Sequence, residues 1–219
     1  MTKKECLQKL NKAFGDFKFF ENGHYYKYKD KDVGISVTRL IEEYTNEFDA
    51  EAIAEKVAIR DNKTIKEVLD EWEYKNAFSC EKGSTCHEFA QSLWSGKEYN
   101  ELLFDCSLEY LKAVNKIQVQ AKQFYKDYKE RLEHLADEYI IGSEEYDIAS
   151  AIDHLFINKL TGKLVLVDYK TFPGVNLHEH TKGHYAQLSA YAAALRHAGI
   201  HVEHALIYYP VHAVIHELK

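Results

Sequence analysis

Apolar residues change their spacing along this chain, and the changes divide it into segments. Between residues 107 and 137, Leu111, Val114, Ala121, Phe124, Tyr128, Leu132 and Leu135 recur at threes and fours, which is the spacing of one helical face. This predicts one long helix over 107–137. Its other face carries Lys112, Lys116, Lys122, Lys126, Lys129 and Arg131 among acids, as a solvated face or the wall of a backbone-binding groove would. The period then shortens. "EYIIGSEEYDIASAIDHLFINKLTGKLVLVDYKTF" predicts three strands joined by tight turns, with Gly162 in "NKLTGK" supplying a permissive backbone. "HYAQLSAYAAALRHAG" returns to a helical pattern ended by Gly199, and "HVEHALIYYP" and "VHAVIHEL" predict closing strands.

The first third is less regular. Residues 1–34 are polar and aromatic, and "KDKD" predicts a hairpin turn between "HYYKY" and "VGISV". "SVTRLIEEYTNEF" predicts a helix start with Ser36 or Thr38 as N-cap. Two more helices are expected near 49–60 and 64–77, the second opened by a Thr64–Glu67 capping box. Another is expected to open after Gly83, carry "STCHEFAQSLWSG" and close at Gly96. Helices, then a strand meander, then a helix and strands, predict an α+β (mixed α/β) fold. The chain is expected to be one domain over 1–219, with an N-terminal hairpin and helical part over 1–80 and a core over 81–210.

Composition narrows the partners. The 219 residues are 46% hydrophobic and 29% charged, ordinary for a globular protein, and no repeat or low-complexity segment occurs. The net charge of −7 argues mildly against a compact duplex-binding module, unless a local basic groove or a bound divalent cation offsets it. Cys6, Cys80, Cys86 and Cys106 form no CxxC pair, so free thiols in a cytoplasmic protein are expected. The N-terminus lacks the apolar stretch of a signal peptide, and no apolar run is long enough for a membrane span.

The candidate chemistry lies where an apolar run ends. Leu164, Val165, Leu166 and Val167 read as a buried strand that ends in Asp168, Tyr169 and Lys170. Alternation sends residues 168 and 170 to one face. If the hairpin turns at "LTG", Asp153 on the preceding strand approaches Asp168. Two carboxylates held that close repel and are costly to bury, and a divalent cation relieves both problems. Oxygen ligands favour Mg2+ or Mn2+. Lys170 can then orient a water or stabilise developing negative charge, an arrangement suited to cleaving phosphodiesters.

Four segments in order, "GSTCHEFA", "AIDHLF", "VDYKT" and "QLSAY", resemble the RecB-type branch of the PD-(D/E)XK nuclease superfamily. The chain looks most like its phage-type and mitochondrial-type single-strand DNA exonucleases. The resemblance rests on Gly83, Ser84 and His87, on Asp153, on Asp168 with Lys170, and on Gln187 with Tyr191. "ISVTRLIEEYTNEFD" and "DEWEYKNAFSCEKGS" extend it from about Ser36 to Pro210. It implies a restriction-endonuclease-like core, a central mixed sheet flanked by helices with a helical N-terminal part. It also implies an Mg2+- or Mn2+-dependent exonuclease with one or two ions. His87, Asp153, Asp168 and the Tyr169 carbonyl would be ligands. Lys170 would position the attacking water, and Gln187 and Tyr191 would hold the lysine or the scissile strand. Glu138 and Glu88 rank lower as second acids. DNA, single-stranded or as duplex ends, would be the substrate. Recombination or end processing, with a single-strand annealing protein as partner, follows only by analogy.

The chain departs from this family by Ser150 and Ala151 where a glycine often precedes the strand Asp. It has no cysteine cluster after the Gln187–Tyr191 helix, so no iron–sulfur cluster is expected, and it has no Walker-type loop. Two alternatives stand beside the nuclease. One is a non-catalytic binding module on the same scaffold. The other is a different metal-dependent hydrolase using His178, His180 and His184 of "HEHTKGH".

Overall fold

The computed structural model describes residues 1–44, 49–99, 107–171 and 177–218, with the side chains of 177–181 excepted. It is a mixed α+β fold built on a six-stranded sheet. Helix α1 (Lys3–Phe14) opens with a capping box from Thr2 and Glu5. Strands β1 (Phe17–Phe20), β2 (Tyr25–Tyr28) and β3 (Lys31–Asp32) form a small antiparallel sheet. Strand β4 (Ile35–Ser36) leads through the Ser36 N-cap into α2 (Val37–Glu43). Helices α3 (Ala50–Asp61) and α4 (Ile65–Ser95) follow, and the predicted Thr64–Glu67 box caps α4. Then come α5 (Leu108–Tyr128), β5 (Leu132–Ser143), β6 (Ile148–Asn158), β7 (Leu164–Tyr169), α6 (Leu177–His197), β8 (Val202–Tyr209) and β9 (Val214–Leu218).

The large sheet runs β4-β6-β7-β8-β9, with β5 also paired to β6. Strands β5, β6 and β7 form the expected antiparallel meander, while β7, α6 and β8 form a parallel crossover. Gly162 turns the β6–β7 hairpin at φ +67°, a conformation that costs other residues more than glycine. Both faces of the sheet are covered. Leu164 and Leu166 join residues of α1 and α6 in one core, whereas Val165, Val167 and Tyr169 join Cys86, Phe89, Ile117 and Phe124 of α4 and α5 in the other.

Four expectations about elements are corrected. The predicted 107–137 helix ends at Tyr128, and Leu132 begins a strand. Leu132 lies in the α4/α5 core and Leu135 in the α1/α6 core. A helix would put residues three apart on one side, whereas a strand sends them to opposite sides. The helices expected at 64–77 and after Gly83 are one 31-residue helix, α4. A mid-helix glycine costs only about 1 kcal/mol. The Phe78–Tyr110 edge contact (5.3 Å) and the Thr85–Tyr110 hydroxyl bond (3.3 Å) tie α4 to α5 on either side of Gly83. The strand partner across "KDKD" is Lys31–Asp32, with Lys29 at φ +54° in the turn, and Ile35–Ser36 pairs in parallel with β6 instead. Finally, α1 occupies a segment for which no helix was expected. Helix α4 also crosses residues 80 and 81, so the two expected parts share an element. Among the described residues, no helix is long and apolar enough to cross a membrane.

Candidate metal centre

Four elements bring carboxyl and imidazole groups to one end of the large sheet. Strand β7 buries six residues in succession and delivers Asp168 in step with Leu164 and Leu166. The β6–β7 pairing ends at His154 opposite Val167; one further step sets Asp153 opposite Asp168. Helix α4 supplies His87. Strand β5 supplies Glu138 at φ +45°, between the pairs Asp137–His154 and Tyr139–Ile152. A bulge between His134 and Ala136 precedes it. A left-handed glutamate inside a strand is strained backbone, the kind that clusters at functional sites.

The donors converge. His87 Nδ1 lies 3.5 Å from Asp153 Oδ2, and one donor atom from each of His87, Glu138 and Asp153 falls within 4.8 Å of the others. Lys170 Nζ stands 2.9 Å from Asp168 Oδ1, and Asp168 is only 3% exposed. His87 Nδ1, Asp153 Oδ2 and Asp168 Oδ2 are buried with no hydrogen bond, and Asp168 Oδ1 has only the Lys170 ammonium. Buried polar atoms are normally hydrogen-bonded, so such a group of orphans requires a reason. The donor set fits a divalent cation: it is two or three carboxylates and one imidazole, with charge to spare.

The electrostatics agree. Burial pushes the Asp153 carboxyl well above the ordinary range, and the charge of Asp168 adds to it. Burial also opposes ionisation of Asp168, but the Lys170 ammonium outweighs it and the net direction is down. Lys170 loses to burial and gains more from Asp168 and Asp153, so its ammonium is held. Burial raises Glu138 too, with Asp137 and Asp168 reinforcing the effect. His87 is lowered to about 4, chiefly by burial and next by His154. A neutral imidazole is the ligand form. The Tyr169 backbone beside the His87 ring favours the charged form, but burial outweighs it.

Each expected residue has a definite place. His87, Asp153, Asp168 and Lys170 are brought together. Of the two lower-ranked acids, Glu138 joins the cluster, whereas Glu88 is exposed on the outer side of α4. Tyr169 has its ring in the α4/α5 core and its backbone beside His87. Gln187 donates to the Tyr191 hydroxyl (2.7 Å), which meets Ser150 Oγ at 3.0 Å. Burial raises the Tyr191 phenol, and the charges of Asp153 and Asp168 contribute. This chain ties α6 to β6 beside the carboxylates. Ser150 therefore has a hydroxyl role at a position where the resemblance had suggested glycine. The side chains of His178 and His180 and all of Cys106 lie outside the described residues, while His184 contacts the Tyr209 hydroxyl at 2.9 Å.

Sequence reasoning missed a second cluster directly behind the first. Asp137 Oδ1 receives His154 Nδ1 (2.8 Å) and His134 Nε2 (2.9 Å), and the His154 ring stacks on His87 with centroids 6.0 Å apart. The signal was present: His154 is a lone polar residue between Asp153 and the apolar run Leu155, Phe156, Ile157. No protein-family model matches the chain, and no curated protein matches it either.

Proposed function

We propose that this chain is a metal-dependent deoxyribonuclease that hydrolyses phosphodiester bonds, acting as an exonuclease on single strands or duplex ends. The observation that carries the reading is the set of buried, unbonded atoms His87 Nδ1, Asp153 Oδ2 and Asp168 Oδ2, with Glu138 beside them and Lys170 against Asp168 Oδ1. His87, Glu138, Asp153 and Asp168 would hold one or two Mg2+ or Mn2+ ions. Such an ion supplies positive charge to the phosphoryl oxygens and acidifies water.

The chain's own residues do the rest. Asp168 fixes the Lys170 ammonium beside the carboxylates, where it would orient water and meet the charge that develops on the phosphoryl group. The His87 ring meets the Tyr169 ring edge-on and turns Nδ1 to Asp153. Gln187 and Tyr191 fix α6 against β6 and set one wall of the pocket. Exonuclease action and DNA as substrate are supported by the ordered motif resemblance.

The test is a cleavage assay on end-labelled single- and double-stranded DNA with Mg2+, Mn2+ or chelator, using the native chain, Asp168→Asn and Lys170→Ala. Metal-dependent release of short products, lost in both variants, is expected. Undiminished cleavage by both variants would sink the mechanism.

A further inference from the structure

The small N-terminal sheet presents two different faces. In the β1–β2 register, Phe17 faces Tyr28, Lys18 faces Lys27, Phe19 faces Tyr26 and Phe20 faces Tyr25. Alternation puts Phe17, Phe19, Tyr26 and Tyr28 on one side. Phe17, Tyr26 and Tyr28 pack on the main core. The other side carries Lys18, Phe20, Tyr25 and Lys27.

That outer face is unusual in three ways. Phe20 and Tyr25 are 37% and 36% exposed, with their rings stacked at 5.1 Å and 6°. Lys27 Nζ lies 5.6 Å from the centroid of each ring. Lys18 stands directly across from Lys27, and like charges opposite one another in a sheet are destabilising. Asp32 relieves Lys27 at 3.4 Å. The second cation on this face is suited to an anion from outside. Exposed aromatic rings interleaved with cations are the features that hold single strands, because every base has a π-face and every linkage a negative charge.

The position is also right. Tyr26, on the inner face of the same hairpin, packs on the core that contains Ile152 of β6 and Tyr191 of α6. Ser150 is bonded to Tyr191 of the metal pocket wall. The hairpin thus packs on the same core as the strand and helix that flank the candidate metal centre.

We propose that the outer face of the β1–β2 hairpin is a stacking platform for unpaired bases of a nucleic-acid strand, with Phe20 and Tyr25 as the rings and Lys18 and Lys27 as the phosphate contacts. It rests on the nuclease reading for its position along a substrate path, but binding is measurable without cleavage. The test is fluorescence anisotropy with a labelled oligothymidylate in chelator, using the full chain, Phe20→Leu/Tyr25→Leu and Lys18→Ala. Leucine keeps apolar bulk on the hairpin, and circular dichroism and the melting temperature confirm the fold. The leucine pair is expected to weaken single-strand binding about tenfold, while binding to a blunt duplex, whose bases are already stacked, changes little. Lys18→Ala should reduce the salt slope by about 0.7. Unchanged single-strand affinity in the leucine pair, or no single-strand binding by the native chain, overturns the platform. Cleavage that persists with unchanged affinity removes the platform and leaves the nuclease. Affinity loss without any cleavage keeps the platform and removes the nuclease.

Discussion

Two clusters of acids and histidines meet on the β5–β6 pair, where Asp137 and His154 of one lie next in sequence to Glu138 and Asp153 of the other, and they are built to opposite specifications. In the first, His87, Glu138, Asp153 and Asp168 crowd together with buried atoms unbonded and two of the carboxyls, Asp153 and Glu138, pushed up. In the second, Asp137 accepts from both His134 and His154. Burial works against the Asp137 carboxylate, but those two bonds hold it down at about 2. The same residue types therefore serve two ends. A satisfied acid between donors stabilises the fold. Acids that repel one another, with buried oxygens left unbonded beside one lysine, would gain from a ligand that brings positive charge. The second cluster also supports the first, since His154 stacks on His87. Only His154 Nε2 breaks the contrast, being buried without a hydrogen bond.

Activity should separate the clusters most. Asp153→Asn is expected to lower metal-dependent cleavage by about a thousandfold or more, on the scale of losing a preorganised charge at the reacting centre. His134→Gln, at the outer end of the second cluster, should cost about tenfold at most. Equal losses in a steady-state assay would erase the distinction.

Metal should stabilise through the first cluster alone. Mn2+ at about a hundred times its dissociation constant adds roughly 2.7 kcal/mol to the native chain. Asp137→Asn should keep a similar increment from its own lower baseline, and Asp153→Asn should lose it. Thermal melts with and without the ion read both.

In chelator, stability should move in opposite directions. Asp137→Asn is expected to cost about 2–3 kcal/mol, because the negative charge that strengthens two hydrogen bonds in a buried site is lost. Asp153→Asn removes a like-charge repulsion and should be neutral or slightly stabilising. Denaturant titration measures both; a large loss from Asp153→Asn would refute the frustrated-site account.

The pH profiles follow by linkage. Asp137 has a folded value near 2, below its unfolded value of about 3.9, so its contribution is complete above about pH 4 and fades as pH falls towards 2. Asp153 is raised, so metal-free stability from this group is greatest below about pH 4 and declines as pH climbs from there. His87 is lowered to about 4, so it adds stability as pH rises from about 4 to 6.5. Melting temperature against pH in chelator should show the acid limb vanish in Asp137→Asn and the Asp153 decline vanish in Asp153→Asn.

The smallest effect concerns the helix that carries His87. A Cβ on Gly83 would meet Thr171 Oγ1 at 3.7 Å, an ordinary contact, and the residue lies inside a helix. Gly83→Ala should therefore raise stability by about 0.5–1 kcal/mol. A fall in the melting temperature would mean that Gly83 serves a close approach rather than a tolerated fault in α4.

What the chain states locally was legible without coordinates. Apolar segments between turn signals named β6, β7, β8 and β9, the Thr64–Glu67 pair named the start of α4, and Gly162 named the hairpin that brings Asp153 to Asp168. These features depend on neighbours within a few residues, so a linear reading contains them. Other features depend on what lies across space. Whether Leu132 and Leu135 extend a helix or start a strand is decided by β6, which offers β5 a ladder, and by cores on both sides of the sheet. Whether Gly83 breaks a helix is decided by the packing of α5. Glu138 over Glu88 as the extra acid, and the sorting of Asp137 and Asp153 into a bonded and an unbonded cluster, come from a bulge and a left-handed residue in β5. The sequence by itself determined which groups the chain carries to the end of β7. The tertiary structure decided which of them are left without partners, because burial removes water and only the neighbours on other elements can replace it.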